Sequence, residues 1–154
     1  MPLDAIDLPF NEQVRAELSR MPGSAPAPGE LWGAGRDGQV QAILLVTADV
    51  NGFYLAVPVI PISGWATDRE LVLPADVLGM EATVVLQAES GVPGHLLHRR
   101  FAAPFTADEM VEIRASVHDP GRLLPAPRGE MPDTDDSQEW RETVAGLIRE
   151  LAFG

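Results

Sequence analysis

Residues 39–60 read QVQAILLVTADVNGFYLAVPVI, two apolar segments joined by Asn51 and Gly52. Because both turn residues tolerate positive φ, this stretch predicts an antiparallel hairpin with a strand on either side of the turn. The first strand becomes continuously apolar, which is typical of a central strand. Pro58 has no amide hydrogen and is therefore expected at a bulge or on an edge. The hairpin thus predicts the centre of an antiparallel sheet.

Shorter strands are expected around this hairpin, at residues 30–33, 70–73 and 83–89. Short strands separated by turns every eight to twelve residues or so are typical of a small barrel or sandwich. The sequence therefore predicts a mainly β protein with added helices, in the α+β class, built on a small antiparallel barrel.

Helical signals lie outside this β region. An amphipathic helix is expected within residues 1–21, and the segment up to residue 28 is rich in Pro and Gly. Thr106 and Glu109 have the spacing of a capping box, which predicts the start of a second helix. Apolar residues recur at helical spacing from about residue 137 to residue 152, which predicts a last helix.

These signals divide the chain into three parts. Residues 1–28 form an N-terminal helix and a Pro-rich linker, residues 29–118 form the barrel domain, and residues 119–154 form a Pro/Gly linker with an acidic C-terminal helix. The end helices are additions to a fold that the central part specifies.

The composition restricts the function. The chain has 23 acidic and 11 basic residues, all of the latter arginine, and a formal net charge of -12. Non-specific nucleic-acid binders gain affinity by neutralising phosphates, so this charge disfavours binding to bulk DNA or RNA. Cysteine is absent, which excludes disulfides and thiolate metal sites and favours a cytoplasmic location. No apolar run approaches the roughly 18 residues of a membrane span.

No cofactor or metal site is expected. Residues 33–38 match the letters of a dinucleotide-binding glycine motif, but a strand follows them where that motif requires a helix, so a tight turn is predicted. His95 and His98 would point to opposite faces of a strand, and they cannot chelate one ion. No serine lies in a nucleophile elbow, so no catalytic residue is assigned.

Aromatic and basic side chains provide a few candidate contacts. Trp65, with Arg69 close by, either stacks on a base or a peptide or folds back onto the barrel, and the second alternative is the more ordinary one. Arg99 and Arg100 are the only basic pair, and a solvated strand face is expected there.

Residues 29–118 resemble the MazF/PemK family, the toxins of type II toxin–antitoxin pairs. The resemblance rests on five segments that follow one another in the family's order: Gly29-Glu30-Leu31-Trp32, the apolar strand at residues 42–47, Ala56-Val57-Pro58-Val59, residues 70–73 and residues 106–117. It implies an SH3-like barrel, a homodimer and an antitoxin partner. It also implies that active members cut single-stranded RNA without a metal.

The sequence departs from the family where that chemistry would take place. Val40 and Gln41 stand where the family has its catalytic arginine and the proline after it, and Ile60 replaces a threonine or serine. Cleavage of this kind needs a base, an acid and a cation near the developing negative charge. We therefore expect a MazF/PemK-like domain without ribonuclease activity that acts through protein contacts.

Two alternatives remain at this point. The first is an active endoribonuclease that uses Arg36 or Arg69, and the second is an unrelated small ligand- or peptide-binding barrel. The residues expected to line an RNA or antitoxin groove are Trp32, Arg36, Gln41, Trp65 and Arg69. The acidic C-terminal helix either covers this groove in cis, as an antitoxin would, or completes the core.

Overall fold

The computed structural model describes residues 25–36, 39–51, 53–62, 64–119 and 122–153. The helix expected within residues 1–21 lies outside this part. The strands are β1 (Leu31–Ala34), β2 (Ala42–Val50), β3 (Phe53–Ile60), β4 (Leu71–Leu73), β5 (Ala82–Val84), β6 (Ser90–Pro93) and β7 (Leu97–Ala102). The α-helices are α1 (Ala75–Leu78), α2 (Ala107–Ala115) and α3 (Asp135–Phe153), and short 3-10 turns lie at Leu86–Ala88, Gly94–Leu96 and Ser116–His118. The α+β class is confirmed.

The strands form one antiparallel sheet in the order β4-β5-β3-β2-β1-β7, with β6 also paired to β3. The predicted hairpin is confirmed as β2 and β3, which pair from Val50 and Phe53 back to Ile43 and Val59. Asn51, in the turn between them, has a φ of 54°, as the sequence signal requires.

The sheet does not close into the expected barrel. In the part of the chain that the structure describes, β7 pairs with β1 and forms no ladder with β4. The outer edge of β4 instead pairs with the segment after α2: the amide of Val72 donates to the carbonyl of Pro127 at 2.8 Å, and Leu71 bridges to Arg128. This segment occupies the strand edge that closure would need.

Pro58 is accommodated by a change of partner along β3. Residues 53–56 pair with β6, whereas residues 59–60 pair with β5. The carbonyl of Pro58 accepts a hydrogen bond from the amide of Val85 at 3.0 Å. Carbonyl and amide groups of one strand residue point to the same side, so the missing amide hydrogen of Pro58 faces the gap between the two partner strands. The register shift of the β2–β3 pair lies elsewhere, between Val46 and Ala48, and leaves Thr47 as the bulged residue.

The sheet has a core on each face, because successive strand residues point to opposite sides. On one face the buried side chains pack with α1 and α2; they include Ile43, Leu45, Val57, Val59, Leu78, Met110 and Ile113. On the other face they pack with α3; they include Trp32, Leu44, Val46, Ala56 and Ile148. The C-terminal helix therefore covers one face of the sheet.

Two local predictions can be compared with the structure. The capping box at the start of α2 is confirmed, since the amide of Glu109 donates to Thr106 Oγ1 at 3.1 Å and the amide of Thr106 to Glu109 Oε1 at 2.9 Å. The expected solvated face at Arg100 is wrong. Arg100 is largely buried and donates to Glu30 Oε2 at 2.9 Å, an ion pair that joins β7 to the residue before β1.

Candidate functional site

A groove lies between α3 and the end of the β2–β3 hairpin that is opposite its turn. Its volume is about 540 Å³, which is within the range of small-ligand and peptide sites. Most of the lining is apolar; the residues are Arg36, Gln41, Ala42, Ile43, Leu44, Pro58, Val59, Ile60, Pro61, Val144, Leu147, Ile148, Glu150 and Leu151. We call this site the α3 groove.

The turn between β1 and β2 places Arg36 at the end of the groove. A Cβ atom at Gly35 would overlap the carbonyl oxygen of Gln39, so only glycine fits this turn. The amide of Arg36 donates to Gln41 Oε1 at 3.1 Å, and the amide of Gln41 donates to the carbonyl of Ala34 at 2.8 Å. The tight turn predicted at residues 33–38 is confirmed at its described residues, since β2 follows it rather than a helix.

The guanidinium of Arg36 binds the C-terminal end of α3. Arg36 Nη2 donates to the carbonyl oxygens of Leu151 at 3.0 Å and of Glu150 at 3.4 Å, and Nε donates to Leu151 at 3.2 Å. The last four carbonyls of a helix have no partner within the helix, and the helix dipole makes this end negative. Arg36 therefore caps α3, and its Nε and Nη2 groups are directed to the protein's own backbone.

Two positions singled out by the family resemblance meet in the groove. Gln41, the residue before β2, and Ile60, the last residue of β3, both line it. Val40 is not among the lining residues, and its side chain is buried in the core that packs with α1 and α2. A carboxamide and an aliphatic side chain can neither transfer a proton at neutral pH nor carry positive charge. Among the described residues that line the groove, Arg36 is the one cation and Glu150 the one carboxylate.

The other three residues expected in this groove lie elsewhere. Trp32 is only 7% exposed and packs beneath α3, with its Nε1 donating to Glu30 Oε1 at 3.1 Å. Trp65 is 59% exposed in the loop before β4, so the prediction that it folds back onto the sheet is wrong. Arg69 lines a separate cavity of about 390 Å³ near the start of α3. Arg36 and Gln41 are thus the pair that the structure brings together.

The start of α3 carries a buried charge network that the sequence did not predict. Arg141 Nε donates to Glu70 Oε2 at 2.7 Å, and its Nη2 donates to Asp133 Oδ1 at 2.7 Å and to Thr67 Oγ1 at 2.9 Å. Asp133 also pairs with Arg69 Nε at 2.6 Å. Glu70 and Arg141 are both buried. The spacing of residues along α3 could have predicted that Arg141 is buried. Arg141 precedes the buried Val144 and Ile148 by three and seven residues and therefore lies on the same helical face.

The network shifts the pKa values of Arg141 and Asp133. Burial alone would lower the pKa of Arg141, but the hydrogen bonds and charges of Glu70 and Asp133 outweigh it and raise the pKa above its ordinary value. The hydrogen bond from Arg141 lowers the pKa of Asp133, and Arg69 contributes to the same shift. Arg141 and Asp133 are therefore held in their charged forms.

In the part of the chain that the structure describes, no three His, Asp or Glu side chains are grouped so that they could hold a metal ion. Nor does any helix in this part combine the length and apolar character needed to cross a membrane.

No protein-family model matches the chain, and no curated protein matches it at a significant level. The resemblance to the MazF/PemK family therefore rests on the residues quoted above and on the order in which they occur.

Proposed function

We propose that this chain is a MazF/PemK-like domain that does not cleave RNA and acts through protein contacts. The observation that supports this most directly is the commitment of Arg36 to the terminal carbonyls of α3. The chain's own C-terminal helix then forms one wall of the groove that would correspond to the family's RNA site. The proposal includes a homodimer, an opened form of the SH3-like barrel and a cytoplasmic location.

Electrostatics favour an inactive site. RNA cleavage without a metal needs a positive group beside the developing negative charge, and the loss of one such donor costs about 3–4 kcal/mol. In the groove, Arg36 already faces the negative end of a helix, and Glu150 adds a carboxylate. A phosphodiester would have to displace these contacts in a protein with a net charge of -12.

The walls of the groove are suited to an apolar protein segment. Leu147 of α3 is 61% exposed beside the groove, although it belongs to the apolar stripe of the helix. The opposite wall consists of Pro58, Ile60 and Pro61 from the end of β3. An exposed apolar side chain that borders an apolar groove is typical of an interaction surface.

The activity is tested by incubating the full-length chain with a long single-stranded RNA at low salt in the presence of a chelator. We expect no cleavage above that of a mock preparation. Salt-dependent cleavage that Arg36→Ala abolishes and Arg149→Ala retains would overturn the proposal, since Arg149 is an exposed arginine outside the groove.

The contact surface is tested by sedimentation velocity. If the proposed homodimer uses the groove, Leu147→Glu weakens self-association, whereas Thr143→Glu, at another exposed position of α3, leaves it intact. A chain that is monomeric at all accessible concentrations would contradict the homodimer.

A further inference from the structure

A second cavity lies on the opposite face of the sheet, between α2 and the bulged part of β2. Its volume is about 900 Å³, and none of its lining residues belongs to the α3 groove. The helix contributes apolar side chains at helical spacing, Ala107, Val111 and Ala115, and Val111 is 65% exposed. We call this site the α2 cavity.

A relay of polar contacts fixes an arginine at the wall of this cavity. Thr47, the buried bulge residue, donates from Oγ1 to Glu89 Oε2 at 2.7 Å. Arg114 of α2 then binds both oxygens of Glu89, with Nε at 3.1 Å from Oε2 and Nη2 at 3.0 Å from Oε1. Because Thr47 also binds the Glu89 carboxylate, that carboxylate fixes the orientation of the Arg114 guanidinium.

The Nη1 group of the Arg114 guanidinium remains available to a ligand in the cavity. The Arg114 side chain is 42% exposed, and within the described residues its Nη1 group takes part in no hydrogen bond or ion pair. An arginine has five N–H donors in one plane, a geometry that matches carboxylate and phosphate groups. His118 follows four residues later in the turn after α2 and lines the same cavity, so a second donor lies on the same side.

We propose that the α2 cavity binds a small organic oxyanion. Arg114 and His118 hold its carboxylate or phosphate group, and its apolar body packs against Val111 and its neighbours on α2. The cavity volume lies in the range of sites for small organic ligands. Both oxygens of Glu89 are engaged by Arg114 and Thr47, so that carboxylate does not oppose the anion as a free charge would. Asp49 also lines the cavity, and its negative charge limits the affinity.

The test uses amide chemical-shift titration of the full-length chain with three probes of similar shape. Benzoate and phenyl phosphate carry the two candidate oxyanions, and benzamide is the neutral control. We expect saturable shifts for at least one anion, concentrated in residues 107–118 and 47–49, and much weaker binding of benzamide. The tighter of the two anions identifies the class of head group.

Variants separate specific recognition from general attraction. Arg114→Gln is expected to weaken anion binding at least tenfold, whereas Arg149→Gln, the same charge change at an exposed site on α3, leaves it unchanged. Asp49→Asn is expected to tighten binding several-fold. Since Arg114→Gln also leaves Glu89 without its partner, Val111→Asp provides a second variant: it adds a negative charge at an exposed position of the cavity and is expected to abolish binding.

The proposal is overturned if neither anion gives saturable shifts or if benzamide binds as well as benzoate. It is also overturned if Arg149→Gln weakens anion binding as much as Arg114→Gln does. Weaker binding of the anions to Asp49→Asn would overturn it too, because removing a negative charge beside an anion site should not weaken binding. None of these results depends on whether the chain cleaves RNA, because the two sites share no residue.

Discussion

The two ends of α3 are held to the sheet by arginines in opposite ways. At its start, Arg141 extends from the helix into the protein and meets the buried carboxylate of Glu70. At its end, Arg36 extends from the sheet to the helix and meets the exposed backbone carbonyls of Leu151 and Glu150. One contact joins two buried charges, and the other caps a helix end in contact with water.

This difference predicts which end of α3 can separate from the sheet. At the buried end, Glu70 Oε1 also accepts from the amide and hydroxyl of Thr67 at 3.0 and 2.9 Å, so both carboxylate oxygens have partners. Breaking such a network leaves a charge in an environment that cannot solvate it. The exposed end loses one capping interaction, which water replaces. The α3 groove lies at this second end, where opening costs least.

Arg141→Met is expected to have the largest effect on stability. It leaves the buried carboxyl group of Glu70 without its arginine partner, which costs about 3–5 kcal/mol of unfolding free energy. Urea denaturation of the full-length chain measures the loss. Arg149→Met is the matched control on the solvent-exposed side of α3 and is expected to change the unfolding free energy by less than about 0.5 kcal/mol.

A double variant sharpens this result. Replacing both charges, as in Arg141→Met with Glu70→Leu, removes the unpaired charge and is expected to recover much of the lost stability. If the single variant unfolds as the native chain does, the buried network does not anchor the helix, and the comparison between the two ends fails.

Ile148→Ala is expected to have the next largest effect. Ile148 is buried against the sheet in the core that contains Trp32 and Leu44, and truncating a buried isoleucine costs about 2–5 kcal/mol. Leu147→Ala, at the exposed neighbouring position, is expected to change stability by about 0.5 kcal/mol or less. Equal losses for the two variants would show that α3 packs on the sheet with a different face.

Local signals in the sequence predicted the local structure well. The hairpin, the capping box of α2 and α3 itself each depend on residues within a few positions of one another, such as Asn51 in its turn or Thr106 with Glu109. Closure of the barrel depends on which segment reaches the edge of β4. Residues 127–128 do so from more than 50 positions along the chain, and periodicity contains no information about such a pairing.

Only the local part of the candidate site could be predicted from the sequence, because its long-range contacts leave no local signal. Arg36 and Gln41 share one tight turn, so their proximity follows from the sequence. Trp32 belongs to the motif on which the family resemblance rests, but its side chain points to the α3 side of β1 and packs in the core. Arg141 and its partner Glu70 are 71 positions apart in the sequence. A charged residue on a helix is expected to be exposed to solvent unless a buried partner is known. Long-range charge pairs of this kind are the part that sequence patterns do not provide.

Acid is expected to weaken the buried end of α3. The folded-state pKa of Asp133 lies below its ordinary value because Arg141 donates a hydrogen bond to it, with Arg69 adding to the effect. A lowered pKa contributes stability that is present above the ordinary value of 3.8 and is lost as the pH falls through the lower folded-state value. Unfolding midpoints measured between about pH 5 and pH 2 should therefore decrease.

Asp133→Asn tests the origin of this decrease. The variant lacks the titrating group, so its stability at neutral pH is lower and its decrease below about pH 4 is shallower than that of the native chain. Asp136→Asn, at an exposed position at the start of α3, is the matched control. An unchanged slope in Asp133→Asn would assign the acid sensitivity to other carboxylates.

Arg36→Ala is expected to have the smallest effect on global stability and the most localised one. Loss of a charge at a helix C-terminus costs about 0.3–1 kcal/mol, but the cost falls entirely on the last turn of α3. Amide hydrogen exchange should therefore accelerate for residues 148–152 and remain unchanged near Arg141, because the buried network is intact.

Arg149→Ala, which removes a charge from the same helix without removing the cap, should not reproduce the pattern. Acceleration along the whole helix would mean that α3 opens as one unit. Restriction to the last turn would place the opening at the α3 groove, where a partner could enter without unfolding the domain.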